Sequence, residues 1–214
     1  MKRGFLESTR DRELVERLLS LARGWDQEYR SWFENYGFGS DQVRSPKKFF
    51  ELMCLVVLDQ GVDSNRLFGR IAEQLRSRKL LDYSYLYDHF KLSRSKKTLK
   101  SDVETYSSLL LKANYGNRWG VYRPLARNIL ELAKAAVEEY DGNLINIYQR
   151  ALEDAGNNVG EVHFHLKRRL EKFGFRVKAD KFLMYIGRIL RIWNIPPTNL
   201  DIPVDERVRK TARN

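Results

Sequence analysis

The sequence predicts an all-α protein of two helical lobes with a cleft between them, and three observations carry that expectation. Apolar residues recur at intervals of three and four along nearly the whole chain, the spacing of a helix face. Glycine and proline gather in a few short segments between those stretches, as loops require. Late in the chain, a helical stretch with one apolar stripe meets an apolar helix at the short glycine-containing turn FGFRVK (Phe173 to Lys178). A cleft between such lobes is the natural place for a site.

The elements follow in order. In ELVERLLSLARGW, Leu14, Leu18 and Leu21, with Val15, Leu19 and Trp25, form an apolar stripe. FFELMCLVVLDQ is apolar on every side, as a central buried helix would be. Its amphipathic continuation SNRLFGRIAEQL favours two consecutive helices around a turn at Gly61 over a strand. In YRPLARNILELAKAAVEEYDG, Leu125, Ile129, Ala133 and Val137 share a face, Pro124 falls near the first turn and Gly142 follows the end. GEVHFHLKRRLEKF carries Val162, Leu166, Leu170 and Phe173 on one stripe, and Gly174 ends it. The next helix begins near Lys178 and carries Phe182, Leu183, Ile186, Ile189, Leu190 and Trp193. Loops are expected at 35–46, 115–120, 155–160 and 194–203.

Composition narrows the function classes. Of 214 residues, 39 are Lys or Arg and 28 are Asp or Glu, a net charge of +11 that suits a phosphate-rich partner. The basic run KLSRSKKTLK, five cations in ten residues, is either a solvated face or a phosphate contact. The single Cys54 lies in an apolar run, so it is expected to be a buried small side chain in a reducing, intracellular setting, cytoplasm or nucleoid. One cysteine excludes a four-cysteine metal or iron–sulfur site. His163 and His165, two apart on a helix, do not form a metal pair, and no cofactor is expected. The first residues, MKRGFLESTRDREL, lack the apolar core of a signal peptide, and no membrane partner is expected.

Two phrases carry the chemistry. Lys178 opens an apolar helix, and IPVDERV places Asp205 directly after a Pro-Val turn. An amine at the head of an apolar helix with a carboxylate returning towards it is minimal equipment for amine nucleophilic catalysis. A helix start after a tight turn also offers N–H groups and the positive end of the helix dipole to a phosphate.

FGFRVK and IPVDERV resemble the helix-hairpin-helix DNA glycosylases, whose hairpin has the form PGVGxK and whose later phrase, VPVDxH or VDTHV, bears an essential Asp. FFELMCLVVLDQGVDSNRLFGRIAEQL is similar to that family's PFELLVATILSQQT helix pair. YRPLARNILELAKAAVEEYDGNL is similar to its YRNKAKNLIELAKILVEKYGG segment. The likeness spans Phe49 to Arg209, in the family's order. It implies one helix-hairpin-helix glycosylase domain over 1–214, with the hairpin unit at about 161–193, acting as a monomer on damaged double-stranded DNA.

The resemblance assigns Lys178 as nucleophile and Asp205 as its acidic partner, with Gly174, Arg176, Val177 and Gln60 contacting DNA. Lys181, one turn further on, is the rival nucleophile, and Asp201 a weaker acid. The implied activity is excision of an oxidised base, 8-oxoguanine first, through a lysine Schiff base and β-elimination. Oxidised pyrimidines, or a non-catalytic helical nucleic-acid-binding protein, are the alternatives. Arg176 replaces the second hairpin glycine and Arg207 the family's His. The connection to Asp205 is extended, as in an archaeal 8-oxoguanine glycosylase subfamily. The sequence ends nine residues after Asp205, so the segment before Phe49 is expected to supply a wall of the base pocket. Trp25, Trp32, Trp119 and Trp193 are expected in the core.

Overall fold

A helix buried on every side organises the computed structural model, which describes residues 9–60, 62–94, 99–113, 122–175 and 178–196. This is α3 (Pro46–Leu58), the third helix after α1 (Thr9–Asn35) and the short α2 (Ser40–Val43). Pro46 starts α3, where its missing N–H costs nothing. Ten of its 13 residues are buried, Phe49 through Leu58, so no face is left for solvent. Each such Leu or Phe contributes about 1.5–3 kcal/mol by leaving water. Its one buried charge, Glu51, is paired with Lys48 at 3.1 Å and with Arg76.

After α3 the chain turns into α4 (Ser64–Arg66), a π-helical segment Leu67–Ile71 and α5 (Ala72–Ser77). Asp63 caps α4 by accepting the Arg66 N–H at 2.8 Å. Gly69 (φ −87°, ψ −107°) breaks the helical geometry inside the π segment, the kind of interruption that bends a helix at a glycine. Helix on either side of the expected turn is thus present, the second stretch with a kink the periodicity does not show; Gly61 itself lies outside the described residues. Asp82 caps α6 (Tyr83–His89) through the N–H groups of Ser84 and Tyr85 at 3.0 and 3.2 Å. Then come α7 (Lys100–Lys112) and α8 (Tyr122–Glu138), and α8 packs on α3, α6 and α7. Leu125, Ile129 and Ala133 are buried as the spacing predicts, together with Ala126, Leu130, Leu132, Ala135 and Ala136, while Val137 is half-buried.

The last elements are α9 (Ile147–Asp154), α10 (Val162–Glu171) and α11 (Ala179–Leu183), which runs on as a π-helical segment Met184–Ile189. Both expected stripes are buried: Val162, Leu166, Leu170 and Phe173 on α10 and just beyond, and Phe182, Leu183, Ile186, Ile189, Leu190 and Trp193 after the turn. Phe49 of α3 packs against Phe182 and Trp193, at 6.2 and 5.4 Å between ring centres, which seats α11 on the central helix. Among the described residues all regular structure is helical, and no described helix is long and apolar enough to cross a membrane.

Candidate active site

The end of α10 is set by Gly174. Its φ of +81° lies in the left-handed region that side-chain-bearing residues rarely adopt. The Phe175 N–H returns to the Leu170 carbonyl at 3.3 Å and the Gly174 N–H to the Glu171 carbonyl at 3.0 Å, the paired bonds of a Schellman helix end. A side chain at position 174 would collide with the Asn128 carboxamide of α8. The glycine is therefore required twice, by backbone and by neighbour. Arg176 and Val177 lie outside the described residues, as do Asp201, Asp205, Arg207 and Trp119.

Lys178 stands at the start of α11, and its side chain crosses to the end of α3. Its Nζ donates to the carbonyl oxygens of Val56, at 3.1 Å, and of Asp59. These are the terminal carbonyls that a helix leaves without partners, so the amine closes α3. Burial lowers its pKa from 10.5 to about 8; the Asp59 carboxylate opposes that shift and the Lys181 ammonium adds to it. About a tenth of such an amine is neutral at pH 7. A neutral amine has two hydrogens, matching the two carbonyls, and a lone pair directed elsewhere.

Lys181 has the opposite character. Its Nζ is 3.4 Å from Asp59 Oδ2 and 5.6 Å from the centre of the Tyr185 ring. Burial works against its charge, but Tyr185 and Asp59 outweigh burial and raise its pKa. Burial pushes the Tyr185 phenol up to about 12, against the pull of Lys181. Asp59 is held in turn by the Ser64 hydroxyl, which donates to Oδ1 at 3.0 Å. Two lysines one turn apart thus differ in kind: Lys178 is partly neutral and Lys181 is held as a cation.

Lys181, Asp59 and Tyr185 face a hollow of about 730 Å³, with Ser64, Asn65 and Val56 also on its surface. Aromatic rings make much of the wall: Trp25, Tyr29 and Trp32 from α1, and Phe68 from the π-helical segment after α4. The Trp32 indole N–H donates to Asn65 Oδ1 at 2.7 Å, and Tyr36 donates to the same oxygen at 3.2 Å. The α1 helix is anchored to the segment after α11 by Arg188 to Asp26 at 2.9 Å and Arg30 to the Ile189 carbonyl at 3.3 Å. Trp25, Glu28, Tyr29 and Trp32, all from the segment before Phe49, lie on the wall of this hollow.

Of the residues singled out from sequence, Lys178 and Lys181 come together with Asp59, while Gln60 sits half-buried at the end of α3, its amide donating to the Val57 carbonyl at 3.3 Å. Trp193 is buried as expected, Trp32 lines the hollow, and Trp25 is 64% exposed rather than in the core. Trp25 lines the hollow and meets the Tyr29 ring edge-on, 6.0 Å between centres, with most of the indole in contact with solvent. Cys54 is fully buried, and His163 is buried against Phe164. Sequence reasoning did not single out Asp59, Ser64, Asn65 or Tyr185. One signal was available for Asp59: a carboxylate directly after an apolar helix opposes the helix dipole and calls for a cation nearby.

Comparisons with protein-family models, with curated proteins and with solved structures find no match to this chain.

Proposed function

We propose that the protein is a base-excision-repair DNA glycosylase with AP lyase activity, removing an oxidised base, 8-oxoguanine before others, with Lys178 as nucleophile. The observation that carries this proposal is the Lys178 amine: buried, lowered to a pKa of about 8, and beside a second lysine that remains charged. Lysine nucleophiles are commonly activated in this way, by burial and a neighbouring cation. The glycine turn preceding that lysine and the net charge of +11 support a DNA partner. In this proposal α10, the Gly174 turn and α11 form the helix-hairpin-helix unit, and the hollow lies in the cleft between two lobes.

The lone pair of neutral Lys178 attacks C1′ of the extruded nucleotide; the bond from C1′ to the base breaks, and the base leaves with the bonding pair and takes up the proton that the alkylated Nζ gives up. The Nζ lone pair then opens the C1′–O4′ bond, O4′ taking a proton from water, to give a protonated imine; transfer of a C2′ proton to water expels the 3′ phosphate with the C3′–O bonding pair. Asp205 is assigned, from the family resemblance, to stabilise the cationic sugar.

Borohydride trapping tests the proposal. Wild-type protein should form a covalent adduct with duplex DNA carrying 8-oxoguanine or an abasic site, and folded Lys178→Gln protein should not. A full adduct in Lys178→Gln, with loss only in Lys181→Gln, would move the nucleophile one turn along α11. No adduct with wild-type protein on either duplex would sink the lyase proposal.

A further inference from the structure

The Asp59 carboxylate works against the chemistry proposed for Lys178, because an anion beside a lysine amine keeps that amine protonated. We propose that Lys181 is a positioning residue for Lys178: with Ser64 it holds the Asp59 carboxylate turned away, so that Lys178 meets the backbone oxygen of Asp59 and not its side chain. This inference rests on reading Lys178 as the nucleophile and goes further, giving the second lysine a task of its own.

One residue meets both lysines through different atoms. The Asp59 carbonyl accepts from Lys178, as does that of Val56 at 3.1 Å. The Asp59 carboxylate is engaged at both oxygens, Oδ1 by the Ser64 hydroxyl at 3.0 Å and Oδ2 by the Lys181 ammonium at 3.4 Å. Its side chain is only 16% exposed, so water does little to damp its charge and the choice of partner matters. Lys181 is fixed in turn by Tyr185, whose ring centre lies 5.6 Å from the ammonium. That ring packs on Tyr29 and Phe33 of α1, at 5.8 and 4.9 Å between centres. The Lys181 ammonium therefore acts on Lys178 twice in one direction. It repels a second charge directly, and it occupies the anion that would favour one. What remains of the Asp59 pull still opposes burial at Lys178, while Lys181 adds to burial. The other titratable groups around the pair are Tyr185, and Glu28 and Tyr29 of α1 on the hollow wall. Asp180 of α11 is turned to Lys167 of α10 at 2.8 Å.

The test reads the ionisation of Lys178 without DNA. The whole protein is labelled with acetic anhydride from about pH 6 to about pH 11, and mass spectrometry follows the peptide that carries Lys178. Wild-type labelling should have its midpoint at about 8. In Lys181→Gln the midpoint should rise by about one unit or more, leaving roughly tenfold less neutral amine at pH 7. Lys181→Arg keeps a cation that can hold the carboxylate and should recover most of that shift. In an Asp59→Asn background there is no carboxylate to release, so Lys181→Gln should move the midpoint about half as far or less. An unmoved midpoint in folded Lys181→Gln, or a shift undiminished by Asp59→Asn, overturns the inference. If Lys181→Gln does not fold by circular dichroism, Ser64→Ala frees the other carboxylate oxygen and should also raise the midpoint; an unmoved midpoint there overturns the inference as well. Borohydride trapping on a duplex with a preformed abasic site judges the lyase proposal separately. The labelling shifts without trapping would overturn that proposal and leave the control of Lys178 by Lys181 standing.

Discussion

At the scale of single residues, the chain shows how burial sets reactivity in opposite directions. For Lys178, burial favours the neutral amine, so the borohydride-trapping rate should rise about tenfold from pH 7 to pH 9 and level off as pH passes about 8. A rate still climbing beyond pH 10 would point to Lys181, whose pKa is raised. The same shift links to stability. The folded pKa lies below the unfolded value of 10.5, so between about 8 and 10.5 the unfolded chain binds more protons and stability rises with pH. Denaturant titrations of wild-type and Lys178→Gln proteins across that window should differ in slope, with the positive contribution only in the wild type. Cys54 is the converse case: fully buried, with burial and Glu51 raising its thiol pKa well above the usual value. It should react with a thiol reagent only as the protein unfolds, which a time course with and without denaturant will show.

At the scale of elements, the Gly174 turn makes the sharpest demand. Gly174→Ala should destabilise the protein by about 1–3 kcal/mol, because alanine is strained at φ +81° and collides with Asn128. Truncating the neighbour, in Gly174→Ala with Asn128→Ala, should recover the collision's share but not the strain. Urea midpoints of the two single variants and the double variant measure that coupling, and full additivity would contradict the packing described. Elements are also where the sequence was most legible. The stripes on α8 and α10 and the all-round burial of α3 were visible because each repeats a contact direction every three or four residues. The kink at Gly69 was not, since it replaces regular bonds without disturbing the apolar pattern of Leu67, Phe68 and Ile71. Of the site, Lys178 and Lys181 were visible as neighbours on one helix. Asp59 was not tied to them, because it meets Lys181 across 122 residues and no local spacing records that. Trp25 was misplaced for a related reason: a ring lining an open hollow has the same periodic signature as one in a core.

At the scale of the whole molecule, charge governs the encounter with a partner. With a net charge of +11, duplex binding should weaken steeply with added salt, as cations on the protein displace condensed counterions. Fluorescence anisotropy across a salt series checks this, and an affinity indifferent to salt would exclude a phosphate-dominated interface. Shape contributes separately through the joint between α3 and α11, which Lys178 closes with two bonds to backbone carbonyls. The consequence is mechanical. The clasp that holds these distant segments is the same amine proposed to bond a sugar, and it cannot serve both at once. Capture of the nitrogen by a substrate, or its replacement by glutamine, unfastens the end of α3 and lets it breathe. Amide hydrogen exchange around 57–60 should therefore quicken in the trapped adduct and in Lys178→Gln alike, so that the state of the chemistry becomes audible in the motion of a helix more than a hundred residues away.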